Sequence, residues 1–196
     1  MTITNGYCTL AQLKGRLGIE FGDLLDDTEL EKVIEGVSRF IDRDRRRVFY
    51  TETEARLYTP QHSDRLWIDD AVSLTTVEVA VNTARTFATW AATDYDTEPL
   101  NDLPIMVIHV APNSSRYFVR GLRASVRITG TWGYAATTPP EITQATILLA
   151  QYVWLRKDAP FGTAGFAMLG EIAAQPDLMP ADVRGLIASV PRRVAR

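Results

Sequence analysis

Apolar residues recur at helical spacing near both ends of the chain and at alternating spacing in between. The clearest helical run is Asp26 to Phe49, where Leu30, Val33, Ile34, Val37, Phe40 and Ile41 follow an i, i+3, i+4, i+7 pattern. Asp26, Asp27 and Thr28 offer N-cap oxygens, and Glu29 and Glu31 set negative charge in the positive first turn. Arg43, Arg45, Arg46 and Arg47 close the run with more cation than a helix C-terminus requires. One long amphipathic helix is predicted. Ahead of it, Thr9 is placed to cap a short helix from Leu10 to Leu17 that Gly18 ends, with a loop from Ile19 to Leu25.

From Thr51 the period changes. Ala55 to Thr59 reads as a strand ended by Pro60, and Arg65 to Ile68 as a second ended by the turn formers Asp69 and Asp70. Thr75 to Asn82, Phe87 to Trp90, Asp94 to Thr97, Ile105 to Val110, Tyr117 to Val119 and Ser125 to Thr131 follow as extended pieces. Short strands at this spacing predict an antiparallel sandwich or small barrel.

The helical period returns after Pro139. Thr138 is a candidate N-cap, Pro140 suits the first turn, and Ile142 to Leu155 is apolar on more than one face, as in a helix set deep in a core. Phe161 to Gly170 is an apolar, glycine-rich loop. A last short helix starts at Pro180 and is stopped by Pro191, leaving an arginine-rich tail. The predicted class is α+β: a helical bundle formed by residues 1–50 and 139–196, with an antiparallel β domain inserted at 51–138.

Bulk properties narrow the function more than the fold. An apolar fraction of 46% and a net charge of −3 describe an ordinary globular chain with no overall basic field for nucleic acid. The one cysteine, Cys8, excludes an internal disulfide and suits synthesis in a reducing cytoplasm. No run of about 18 apolar residues suggests a membrane span, and the first residues lack the pattern of a secretion signal. Catalytic chemistry finds little support. His62, His109 and Cys8 are far apart in sequence, and no nucleophile elbow, phosphate-binding loop or metal-ligand spacing occurs. Asp69, Asp70, Asp94 and Asp96 read as turn formers, and Trp67, Trp90, Trp132 and Trp154 as core residues. No cofactor and no enzyme activity are expected.

What remains is an interaction protein with two arginine-bearing segments and an apolar loop from Phe161 to Leu169. Arg39, Arg43 and Arg46 share a helical stripe, which is either a solvated, ion-paired face or a contact to an acidic partner or DNA phosphates. Arg192, Arg193 and Arg196 follow a proline stop and are either frayed or docked on a neighbour.

Three stretches together resemble a known family. These are Tyr7-Cys8-Thr9-Leu10-Ala11-Gln12-Leu13-Lys14 with the long helix ending in Arg46-Arg47-Val48-Phe49; Val126 to Tyr134 with Pro139-Pro140-Glu141-Ile142 and the helix behind it; and Met179-Pro180 with Val183, Leu186 and Ile187 before the closing arginines. In this order they are similar to the head-to-tail connector, or adaptor, proteins of long-tailed bacteriophages. The resemblance implies a structural virion protein at the head–tail interface, made in the host bacterial cytoplasm. It implies a homo-oligomeric ring, a dodecamer in the usual case, under the portal protein. Such a ring extends the DNA channel without sequence-specific binding and offers a docking surface to stopper or tail completion proteins. On that view Phe161, Phe166, Met168, Leu169, Arg192, Arg193 and Arg196 are candidates for the portal or subunit interface. Arg39, Arg43, Arg46 and Arg47 are candidates for channel or inter-subunit contacts. Compact members carry only a hairpin or loop where this chain has its β insert, so the insert is a candidate contact to capsid protein. Competing readings are a tail-completion or baseplate component, and a hydrolase built on the β insert.

Overall fold

The computed structural model describes residues 3–82, 84–156 and 179–193. The chain divides into two compact units, Met1–Arg47 with Thr138–Arg196, and Val48–Thr137.

The first unit holds α1 (Leu10–Leu17), α2 (Asp27–Arg45), α3 (Pro140–Leu155) and α4 (Ala181–Ala188). A reciprocal capping box starts α1: the Thr9 hydroxyl accepts from the Gln12 amide at 3.1 Å, and the Gln12 side chain accepts from the Thr9 amide at 2.8 Å. Gly18 ends it in the left-handed conformation that an L side chain resists, at φ 72. Helix α3 packs against each of the other three. Small Ala145, Thr146 and Ala150 are fully buried, as small side chains at a helix contact allow, and Ile142 and Leu149 are buried along with Leu13, Leu30, Ile34, Ile41, Val183 and Ile187 of the other helices. Its burial is incomplete, however, because Val153 and Leu155 remain exposed. The expected Thr138 cap is not made. Pro139 is the N-cap residue, without a side-chain bond.

Helix α2 buries Leu30, Ile34, Val37 and Ile41 as its spacing predicts, but it stops at Arg45, well before Phe49. Arg46 takes a left-handed conformation, φ 54, and its amide returns to the Asp42 carbonyl. Asp26 is the N-cap residue but makes no side-chain cap bond. The neighbouring Asp27 instead pairs with the buried Lys14 ammonium.

The second unit is a six-stranded, wholly antiparallel sheet built from β1 (Glu52–Tyr58), β2 (Arg65–Ala80), β3 (Phe87–Thr89), β4 (Tyr95–Glu98), β5 (Ile105–Val110) and β6 (Val126–Trp132). The order is β1-β6-β2-β5-β4, with β3 also on β2. The α+β class and the antiparallel insert agree with the sequence pattern. The path is open, though, so a single sheet replaces the closed barrel or paired sheets of a sandwich.

The reason lies in β2. Asp69 and Asp70 were expected to end a strand, yet β2 runs through them for 16 residues, with register shifts at Trp67/Ala71, Ala71/Ser73 and Leu74/Thr76. Bulges of this kind bend a strand and let one strand serve two sets of neighbours. The first half pairs with β5 and the second with β6 and β3. Both halves feed one core: Leu66 and Ile68 from the first, Val77 and Val79 from the second, around Trp132, Ile128 and Ile108. The Asp69 side chain and the Asp70 backbone are both engaged across the sheet. Asp69 Oδ2 accepts from the Tyr58 hydroxyl at 3.1 Å, and the Asp70 carbonyl accepts from the Gly133 amide at 2.8 Å. Across β2 and β6, Arg127 grips Glu78 with two bonds of 2.7 and 2.8 Å and covers the Phe87 ring at 4.5 Å. Those bonds hold the Glu78 carboxyl below its usual range.

Tyr117–Val119 forms no strand. Phe118 is instead a plug, fully buried and stacked on Trp90 with centroids 4.8 Å apart.

One glycine marks where β6 passes the bulge. A Cβ on Gly130 would stand 2.4 Å from the Ser73 carbonyl oxygen, a contact that only backbone movement relieves. Gly130→Ala is therefore expected to cost about 1–3 kcal/mol of stability, read by chemical denaturation. An unchanged midpoint would contradict this close approach.

Candidate functional site

The groups that could carry chemistry are spent on structure. Among the described residues no three His, Cys, Asp or Glu side chains group as metal ligands. His109 Nε2 meets Glu98 Oε2 at 2.7 Å across β4 and β5, a half-exposed surface pair. His62 is exposed beside a turn. Cys8 is buried in the helical unit, where desolvation pushes its thiol up to about 12 and suppresses the nucleophilic thiolate. Asp94 accepts from the Ala91 amide at 3.0 Å and the Ser114 hydroxyl at 3.1 Å. The Ala91 bond is the main cause of its lowered pKa. Trp90, Trp132 and Trp154 lie in cores, and Trp67 is half-buried.

The arginines of α2 divide by what they touch. Arg39 Nε pairs with Asp42 at 2.9 Å, its Nη2 donates to the Asn5 carbonyl at 2.9 Å, and its guanidinium lies over the Tyr7 ring. The same stripe of α2 holds the rest of the N-terminal lead. Glu35 accepts from the amides of Thr4 and Asn5, Ser38 from the amide of Tyr7, and Asp42 from the Tyr7 hydroxyl. Arg47 is buried and donates to the Pro191 carbonyl at 2.8 Å, while Arg45 donates to the Val190 carbonyl and accepts the Arg193 amide at its own carbonyl. Arg43 and Arg46 are the exposed members, with Arg43 Nε resting on the Arg39 carbonyl at 3.2 Å.

The predicted groups are thus partly brought together. The backbone of residues 190–193 is docked on the arginine end of α2 within the same chain, and Arg192 is exposed there beside it. Phe161, Phe166, Met168, Leu169 and Arg196 lie outside the described residues.

Two surfaces of the helical unit were not anticipated. The Ile19–Leu25 loop exposes Phe21 by 68%, Leu24 by 70% and Leu25 by 89%. It does so in a held conformation: Lys14 Nζ donates to the Asp23 carbonyl at 2.5 Å, Asp23 Oδ1 accepts from the Leu25 amide at 3.1 Å, and the Asp23 amide donates to the Glu20 carbonyl at 3.1 Å. The second surface is a groove of about 380 Å³ between α2 and α3, lined by Val33, Val37, Phe40, Leu149 and Val153. The signals were present in the sequence. Phe21, Leu24 and Leu25 sit in a loop with no periodic partner, and the α2 stripe holds six apolar residues of which Val33 and Phe40 are not buried.

No known family model matches the chain, and no curated protein matches it in sequence. Solved structures do match in fold. A chain in the neck of an empty gene transfer agent (GTA) particle, computed with C6 symmetry, superposes with a TM-score of 0.63 at 15% identity, covering 100% of this chain and 95% of that one. A chain in the virion of a native gene transfer agent particle gives 0.61 at 20% identity, with coverage of 100% and 94%. A chain in a native GTA neck computed with C12 symmetry gives 0.59 at 20% identity, with the same coverage.

The Arg47 contact is directly testable. Arg47→Met keeps most of the aliphatic stem but leaves the Pro191 carbonyl without this donor, at an expected cost of about 1–3 kcal/mol. Hydrogen exchange at the Arg193 amide should accelerate in the variant. Unchanged exchange would show that Arg47 does not hold the segment.

Proposed function

We propose that the chain is a structural protein of the neck of a phage-like particle, where it assembles as a ring beneath the portal and lengthens the DNA channel. The observation that carries this reading is the whole-chain extent of the similarity. The GTA chains are covered over 94–95% of their length, so the helical unit and the β insert are matched together. Two independent domains of this kind rarely recur in one order by chance, whereas a helix pair alone often does. The C6 and C12 symmetries of those necks support a ring of six or twelve copies, the latter agreeing with the expected dodecamer. A ring needs a heterologous interface that closes.

The role is structural, and localisation at the head–tail junction of a virion follows from it. Arg39 and Arg47 are engaged inside the chain, which leaves Arg43 and Arg46 to face the channel or a neighbouring subunit. Phe161, Phe166, Met168 and Leu169, with Arg192, Arg193 and Arg196, are proposed for the portal or subunit interface. The β insert is proposed as the contact to capsid protein, and the ring face away from the portal as the seat of a stopper or tail completion protein.

Native mass of the full chain, alone and mixed with the portal complex of the same particle, tests this. The expected result is a small species alone and a ring-sized complex on the portal. A chain that stays monomeric with portal present would contradict the proposal.

A further inference from the structure

The exposed loop between α1 and α2 and the groove between α2 and α3 have complementary shape and chemistry. The loop is exposed and apolar at Phe21, Leu24 and Leu25, and its charged residues Glu20 and Asp23, with Asp26 at the N-cap of α2 beside it, are acidic. The groove is concave and apolar, and basic side chains border it. Lys32 lines it; beyond the lining, Arg43 stands two turns past Gly36 on the same edge of α2, and Arg156, its guanidinium over the Tyr152 ring, is the C-cap of α3 one turn past Val153. Lys32 and the groove's Glu29 pair with each other at 2.7 Å and cancel, which leaves Arg43 and Arg156 as the cations toward that end of the groove.

Within one chain the two surfaces do not meet. The loop side chains are largely exposed and are absent from the groove lining. Exposed leucine and phenylalanine held in a fixed conformation cost little further ordering entropy on burial, which favours docking over a flexible display of the same residues. The two surfaces differ, so pairing them between copies is head-to-tail, and such a contact propagates into a ring when its rotation closes.

We propose that Phe21, Leu24 and Leu25 of one copy seat in the α2–α3 groove of the next, with the loop carboxylates on the side of Arg43 and Arg156. This rests on the ring reading above and assigns its subunit interface. Opposite charge at the rim sets direction and register, while the buried apolar centre supplies most of the affinity.

The test uses full-length chains carrying either Leu25→Cys or Val153→Cys, mixed, assembled on the portal complex and oxidised. Cys8 is buried, so the added thiols are the reactive ones. Covalent dimer is expected from the mixture and from neither chain alone. A ring-sized assembly without covalent dimer overturns this interface and leaves the ring reading standing. No ring from the unaltered chain overturns the ring reading and this interface with it. A second variant, Leu25→Asp, should fold normally, because the side chain is exposed by 89%, yet lose the ring species. Retention of that species would also overturn the interface.

Discussion

Helix α3 is the constraint on which the helical unit depends. Its Ile142, Ala145, Thr146, Leu149, Ala150 and Trp154 need cover from several directions, and among the described helices α1, α2 and α4 all pack against it. Two of those helices come from the start of the chain and one from near its end. Closing that core joins residues far apart in sequence, which makes the β region an excursion between two halves of one unit. The fit is not complete. Helix α2 offers a wider apolar stripe than α3 covers, and Val33 and Phe40 are left to line a groove with Val153. Incomplete burial of this kind is characteristic of subunits that finish their cores on assembly.

Polar residues of α2 have a different task from the one their surface position suggests. They bind backbone. Glu35 and Ser38 take amides of the N-terminal lead, Arg39 takes a carbonyl, and Arg45 and Arg47 take carbonyls of the segment after α4. Charge-assisted bonds to backbone are stronger than neutral ones, and they add to the burial of Tyr7, Cys8 and Val190 in holding the two segments. This leaves Arg43, Arg46 and Arg192 as exposed cations near the end of α2.

Much of the fold was legible because most segments obey one dominant local rule. The helices follow the 3.6 period, α1 carries its complete capping box, and most strands alternate between turn residues. The readings that failed share a physical cause. Asp69 and Asp70 look like turn residues but are held inside a strand by partners distant in sequence, and Phe118 looks like strand but is fixed by stacking on Trp90. Arg46 ends α2 in a left-handed conformation that glycine would ordinarily signal. The Arg39–Arg43–Arg46 stripe showed where the cations stand, but not that Arg39 was bound by Asn5, Tyr7 and Asp42. Tertiary partners are invisible to local pattern. The apolar loop and groove were missed for the opposite reason, since exposure is decided by what fails to pack.

The proposed position in a particle neck is directly observable. Antibody or gold labelling of this chain on intact particles should mark the junction between head and tail, beneath the portal. Label confined to the distal end of the tail would contradict the account and move the protein to a tail-tip or baseplate role.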